Sequence, residues 1–242
     1  MKIKIPNKIF GEPINGSYQR YLDGSIKTEK IEEKVQPITS SSNINLGDYI
    51  VLPNHNLYVA KQKTLFNNNW FDAHKGLSQL GLKMLTIREF LDFLELLKQG
   101  NVKNGLGNLV SATEVRAIYD DITKQESPYR AEWLDADFKV QSNQLYMNYN
   151  HTVSSGNLIP NKTEKLESCL MEDCKIDLSS CNRQGLPTRE GNDISYFYPR
   201  DDNNSVARFR ANSVWVYLNC NGGPQFSDSA LGVRGSARFL RS

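Results

Sequence analysis

The chain has 242 residues, 39% of them hydrophobic and 23% charged, which is the make-up of a folded globular chain and excludes a disordered or membrane-embedded one. Lysine and arginine number 29 against 27 acidic residues, a net charge of +2, so there is no electrostatic case for nucleic acid or an anionic membrane as partner. Aromatic residues reach 10%, and asparagine runs stand at Asn67-Asn68-Asn69 and Asn203-Asn204, a composition suited to a turn-rich chain with much β-structure.

Residues 1–19 alternate apolar and basic side chains without an apolar signal core, and no apolar run reaches the ~18 residues of a membrane span. Neither secretion nor membrane insertion is therefore expected. The four cysteines, Cys169, Cys174, Cys181 and Cys220, are read as free thiols.

In chain order, residues 1–30 predict short strands, with Ile3, Ile5 and Ile9 alternating with polar residues and Gly11, Pro13 and Gly16 as punctuation. The polar stretch from Lys34 to Asn45 is a linker or an exposed loop. Tyr49–Leu52 and Leu57–Ala60 predict a strand pair around Pro53-Asn54-His55-Asn56. A helix is expected over Trp70–Leu80. A second starts after Thr86, where Thr86 and Glu89 fit a capping box. Ile87, Phe90, Leu91, Leu94 and Leu97 then form one apolar stripe, and Gly100 closes the helix. A third follows Ser111, with Glu114 completing another capping box and Val115, Ile118, Tyr119 and Ile122 on its apolar side.

Beyond Pro128 the pattern turns to strands: Arg130–Leu134, Phe138–Val140 and, after a turn at Ser142-Asn143, Leu145–Tyr149. A short helix is expected over Thr163–Met171, and strands separated by Gly, Asn and Asp clusters after Gly185. Helices come early and strands late, which makes the class α+β. The domain reading is an N-terminal β-rich extension, residues 1–45, and one domain, residues 46–242.

Enzymatic motifs are missing. There is no GxSxG, HExxH, P-loop or GxGxxG, and Gly105-Leu106-Gly107 is a plain loop. His55, His74 and His151 do not pair at ligand spacing, and the spacing of Cys169, Cys174 and Cys181 is not that of a zinc knuckle. Asp201-Asp202-Asn203-Asn204 lacks the glycine and glutamate of a calcium loop and is read as a solvated turn. No catalytic residue, metal ligand or cofactor is assigned.

The informative stretch is 204–238. Val206–Phe209 and Leu231–Arg234 predict core strands that pair with each other. Between them Arg210, Asn212, Val214, Trp215, Tyr217, Asn219, Asn221, Gly222, Gly223, Phe226 and Asp228 mix aromatic, amide, glycine and charged residues, roughly at alternate positions as far as Asn221. Ala211, Ser213, Val216, Leu218 and Cys220 interleave and suit an inner face. Large aromatics set among Asn, Ser and Gly are the composition of a binder's contact surface. Trp133, Leu134, Phe209, Leu218, Leu231 and Val233 are the expected core.

This segment resembles the variable region of the diversity-generating retroelement variable proteins, in the branch found in archaea, their viruses and minimal bacteria. The resemblance rests on Asn204–Phe209, Leu218, Cys220, Pro224, Ser227, Ser229 and Leu231–Arg234, with Tyr129–Ala136 and Gly185–Thr188 upstream, and covers about residues 110–242. It implies a C-type lectin fold of the formylglycine-generating-enzyme type with a variable region at about 204–234, and a non-enzymatic protein that binds a protein or cell-surface ligand. Attachment to a virion or surface through the N-terminal segment is a further implication.

The same resemblance implies diversification by reverse transcription that misreads template adenines. AAY codons can reach all of the named positions except Trp215, which needs a purine-ended codon such as AGG.

Two other functions fit the sequence less well. A calcium-dependent carbohydrate-binding lectin would carry EPN, QPD or WND, and Glu12-Pro13-Ile14-Asn15 is misplaced and interrupted. A formylglycine-generating-type enzyme would pair two cysteines on copper, and Cys181 and Cys220 show no paired arrangement in the sequence.

Overall fold

The computed structural model describes residues 44–239 and two short antiparallel strands nearer the N-terminus, Lys8–Ile9 (β1) and Glu12–Pro13 (β2). The chain divides into two compact units, Met1–Thr39 and Ser40–Ser242. The expected strand at Ile3 and Ile5 and most of the Lys34–Asn45 stretch lie outside the described residues.

In the second unit, Tyr49–Leu52 (β3) and Leu57–Ala60 (β4) pair as the alternation predicts, with Ile50, Leu52, Leu57 and Val59 inside. The turn between them closes on Asn56 at φ 54°, a left-handed conformation that asparagine tolerates. Trp70–Gln79 (α1) starts where the Asn69 side chain accepts from the Asp72 amide at 2.9 Å. Lys83–Met84 (β5) follows.

Ile87–Gln99 (α2) has the full capping box. The Glu89 amide donates to Thr86 Oγ1 at 3.3 Å, and the Thr86 amide donates to Glu89 Oε2 at 2.8 Å. Gly100 ends it at φ 77°. Ala112–Thr123 (α3) has only half of its expected box. Ser111 accepts from the Glu114 amide, but the Glu114 carboxylate turns away to Lys61 Nζ at 2.7 Å, a full charge being the stronger partner.

The remaining strands are Arg130–Gln141 (β6), Gln144–Ser154 (β7), Asn157–Lys165 (β8), Cys174–Ile176 (β9), Ile194–Phe197 (β10), Ser205–Ala211 (β11), Val216–Gly222 (β12), Leu231–Gly232 (β13) and Gly235–Arg238 (β14). An eight-stranded sheet runs β8-β7-β6-β11-β12-β10-β9, with β13 also on β6. A four-stranded sheet runs β3-β4-β14-β5. The two strand pieces expected over 130–140 are one continuous strand. Ser142 and Asn143, at φ 50° and 58°, make the tight turn to β7.

Two expectations are corrected. Thr163–Lys165 belongs to β8, with Thr163 opposite Asn148 and Lys165 opposite Tyr146, so no helix begins at Thr163. A run too short to hold a helix by itself takes the pairing the β7 edge offers. The segments at 206–209 and 231–234 do not pair with each other. Strands β11 and β13 instead flank β6, antiparallel and parallel respectively.

All six residues expected in the core, Trp133, Leu134, Phe209, Leu218, Leu231 and Val233, are at most 1% exposed. One cluster lies between α2, α3 and the large sheet around Phe90, Phe93, Phe138, Phe209, Leu218 and Cys220. A second gathers Trp70, Leu77, Met84, Trp133, Val206, Leu231 and Val233 under α1. The architecture is mixed α+β, and among the described residues no helix is long and apolar enough to cross a membrane.

Candidate functional site

Strands β11 and β12 form a hairpin whose register sets the site. Arg210 lies opposite Tyr217, and Arg208 opposite Asn219. The register slips between Val206 and Arg208, but side chains along β11 keep alternating, Ala207 and Phe209 to one side and Val206 and Arg208 to the other. Phe209, Leu218 and Cys220 therefore enter the core, while Arg208, Arg210, Tyr217 and Asn219 share the other face.

That face is a stack of guanidinium groups and rings. The Arg208 guanidinium carbon lies 4.9 Å from the Phe226 ring centre and 5.7 Å from Trp133. Arg210 lies 4.8 Å from Tyr129 and 5.0 Å from Tyr217, and Tyr217 meets Phe197 edge-on at 5.3 Å. Such contacts hold a cation over the negative face of a ring. Neither arginine has a carboxylate partner among the described residues, and Arg208 Nε and Nη1 are buried without a hydrogen bond. Burial, with Arg210 beside it, pushes the Arg208 guanidinium below its usual pKa. Burial likewise raises the Tyr217 hydroxyl, in spite of both arginines.

The eleven residues named from the sequence separate into three groups. Val214, Trp215 and Phe226 are 58%, 53% and 42% exposed, the largest apolar side chains that this face offers to solvent. Arg210, Asn212, Asn221, Gly223 and Asp228 are half-buried. Tyr217, Asn219 and Gly222 are buried, against the expectation that all would point outward.

The reason for this burial is the second neighbour of β12. Strand β10 runs parallel to it and brings Phe197 against Tyr217, while the side-chain amides of Asn219 and Asn221 meet at 2.9 Å. A Cβ built on Gly222 would lie 3.1 Å from Arg208 Nε and from the Val206 carbonyl, so that position is close-packed. At Gly223 a Cβ would meet nothing within 4 Å.

The two loops of the face are fixed by their own polar groups. Asn212 Oδ1 accepts from the amides of Val214 and Trp215 at 2.8 and 2.7 Å, which turns β11 into β12 and presents both apolar side chains. Asp228 Oδ1 accepts from the Ala230 amide at 2.7 Å. The scaffold holds the second loop from below. The Trp70 amide donates to the Pro224 carbonyl at 3.0 Å, and the Asn67 amide to the Asp228 carbonyl at 3.1 Å.

Arg208 does not stand out in the sequence, because in Val206-Ala207-Arg208-Phe209 it reads as a member of a core strand, although alternation with Phe209 puts it on the face of Arg210. The cleft of about 800 Å³ between α2, α3 and the inner side of the hairpin was also not foreseen; Arg88, Asp92, Glu95, Arg116, Phe209 and Val216 are among its lining residues. The four cysteines are free thiols, Cys220 buried and the others half-buried. Asp202 accepts from the Asn204 amide and Ser205 hydroxyl, holding the exposed turn that was expected there.

Compared with protein-family models, curated proteins and solved structures, the chain matches none.

Proposed function

We propose that this chain is a non-enzymatic ligand-binding protein of the retroelement-diversified kind, with a C-type lectin fold of the formylglycine-generating-enzyme type and a protein or cell-surface molecule as its ligand. One observation carries the reading. Val214 and Trp215, in the turn of a hairpin whose alternate residues are locked in the core, and Phe226, in the loop after it and 4.9 Å from the unneutralised Arg208 guanidinium, all stand exposed. Exposed aromatic anchors next to desolvated guanidinium groups are the ingredients of an interface hot spot. A surface selected to vary must carry little folding energy, and these three side chains meet that requirement.

The experiment is a display library with residues 212, 214, 215, 223, 226 and 228 randomised together. Most members should fold, with melting temperatures within a few degrees of the parent, and selection against unrelated purified proteins should yield specific binders. A library that mostly unfolds, or that yields no binder to any target, would contradict the proposal.

A further inference from the structure

We infer that His74, Asp135 and His151 form a binding site for a divalent transition-metal ion of the zinc class, beneath the base of the display loops. The inference does not depend on the proposed function. Helix α1 supplies His74, β6 supplies Asp135 and β7 supplies His151, and these are 5%, 2% and 6% exposed. Among the described residues this is the one set of three His, Cys, Asp or Glu side chains whose ligand atoms all lie within 4.8 Å of one another.

The geometry is that of donors gathered round a common point. His151 Nδ1 is 2.5 Å from Asp135 Oδ1, and His74 Nε2 is 3.6 Å from that same oxygen. His74 Nε2 is buried and has no hydrogen-bond partner. A buried ring nitrogen 3.6 Å from a carboxylate oxygen, too far to bond it, is costly, and a cation between the two would satisfy both.

Bonds of about 2.0 Å at a tetrahedral metal place neighbouring donors roughly 3.3 Å apart. The His74–Asp135 spacing is near that value. The His151 contact must open by something under 1 Å, and the neutral ring must take the tautomer with its one hydrogen on Nε2, which frees the Nδ1 lone pair for the metal. Two imidazoles with one carboxylate select zinc-like ions over calcium or magnesium, which prefer all-oxygen sets.

The surroundings are built to orient the ligands. The His151 amide donates to Asp135 Oδ2 at 2.9 Å and the Asp135 amide to the Leu85 carbonyl at 2.7 Å, so the carboxylate cannot swing away. The Trp70 ring lies edge-on to both imidazoles, at 4.4 and 5.1 Å, while its Nε1 donates to the Leu134 carbonyl. A metal here would pin α1 to β6 and β7. Through the Trp70–Pro224 hydrogen bond it would also brace the loop that carries Phe226.

The test is cobalt(II) titration of the chelator-stripped full chain, followed by zinc competition. One cobalt per chain is expected, with visible d–d absorption, no thiolate charge-transfer band, and displacement by zinc. Zinc at about 100 times its Kd should raise the melting temperature by roughly 5 °C or more. His74→Gln should lower the stoichiometry at least tenfold while the metal-free chain stays folded, and replacing Cys169, Cys174 and Cys181 by serine should leave it unchanged. Absence of saturable binding, a thiolate band, or full stoichiometry in His74→Gln would overturn the inference. Should His74→Gln not fold, the wild-type spectrum and stoichiometry decide by themselves.

Discussion

Arg234 and Glu132 form an ion pair in the middle of the domain, Nε to Oε2 at 3.1 Å and Nη2 to Oε1 at 3.4 Å, with both side chains at most 3% exposed. The same guanidinium donates through Nη1 to the carbonyls of Ala60 and Lys61. One side chain thus ties the chain just after β13 to β6 and to the end of β4, on elements separate from the display hairpin.

Breaking this pair from one side leaves a buried charge without its partner. Arg234→Met or Glu132→Gln should each cost about 3–5 kcal/mol. The measurement is the urea midpoint of each variant. A change under about 1 kcal/mol would show that the pair does not hold the scaffold.

Display and support divide along the β12 hairpin. Trp215→Ala and Val214→Ala should change stability by no more than about 1 kcal/mol, because both side chains are more than half exposed. Tyr217→Ala should cost about 3 kcal/mol, since it empties a buried contact with Phe197 and Arg210. Thermal melts of the three variants would show whether the ranking holds.

The adjacent glycines provide a finer contrast. Gly222→Ala puts a methyl 3.1 Å from Arg208 Nε and a backbone carbonyl and should destabilise by about 1–3 kcal/mol. Gly223→Ala meets open space and should be close to neutral. If both are tolerated alike, position 222 belongs with the displayed residues after all.

Burial pushes the thiols of Cys169 and Cys181 up to about 11, and that of Cys220 well above its usual value. At pH 8 these groups stay protonated in the fold, so a thiol reagent should react slowly with native protein and at once with all four cysteines in denaturant. Since the folded pKa values are raised, the protonated thiols favour the folded state fully below pH 9. That contribution is lost as pH climbs from 9 through 11, because the unfolded chain loses those protons first. A rise in stability across that interval, once tyrosine ionisation is accounted for, would contradict the assignment.

What the sequence makes legible is local. Thr86 with Glu89, Gly100 and the Ser142-Asn143 turn act within a few residues, and each shows plainly in residue type. The alternation that sends Leu218 and Cys220 inward is equally local. Burial of Tyr217 depends on Phe197 arriving from a parallel strand, and burial of Arg208 depends on Phe226 and Trp133 closing over it; neither leaves a mark in nearby sequence. The same holds for His74, Asp135 and His151, which meet only after α1 packs on the sheet. At Glu114 the nearby signal was present, and a distant lysine overrode it.

On the proposed function, the 3′ end of this gene is rewritten from a template. Sequencing the DNA around the gene tests it most directly. A reverse-transcriptase gene should lie nearby, with a second copy of the segment encoding residues 204–234 that differs from the gene mainly at template adenines. The differing codons should be those for Arg210, Asn212, Val214, Trp215, Asn221, Gly223, Phe226 and Asp228, while those for the buried Tyr217, Asn219 and Gly222 should match the copy. No such copy, or one whose differences fall on the codons for Phe209, Leu218 and Leu231, would contradict it.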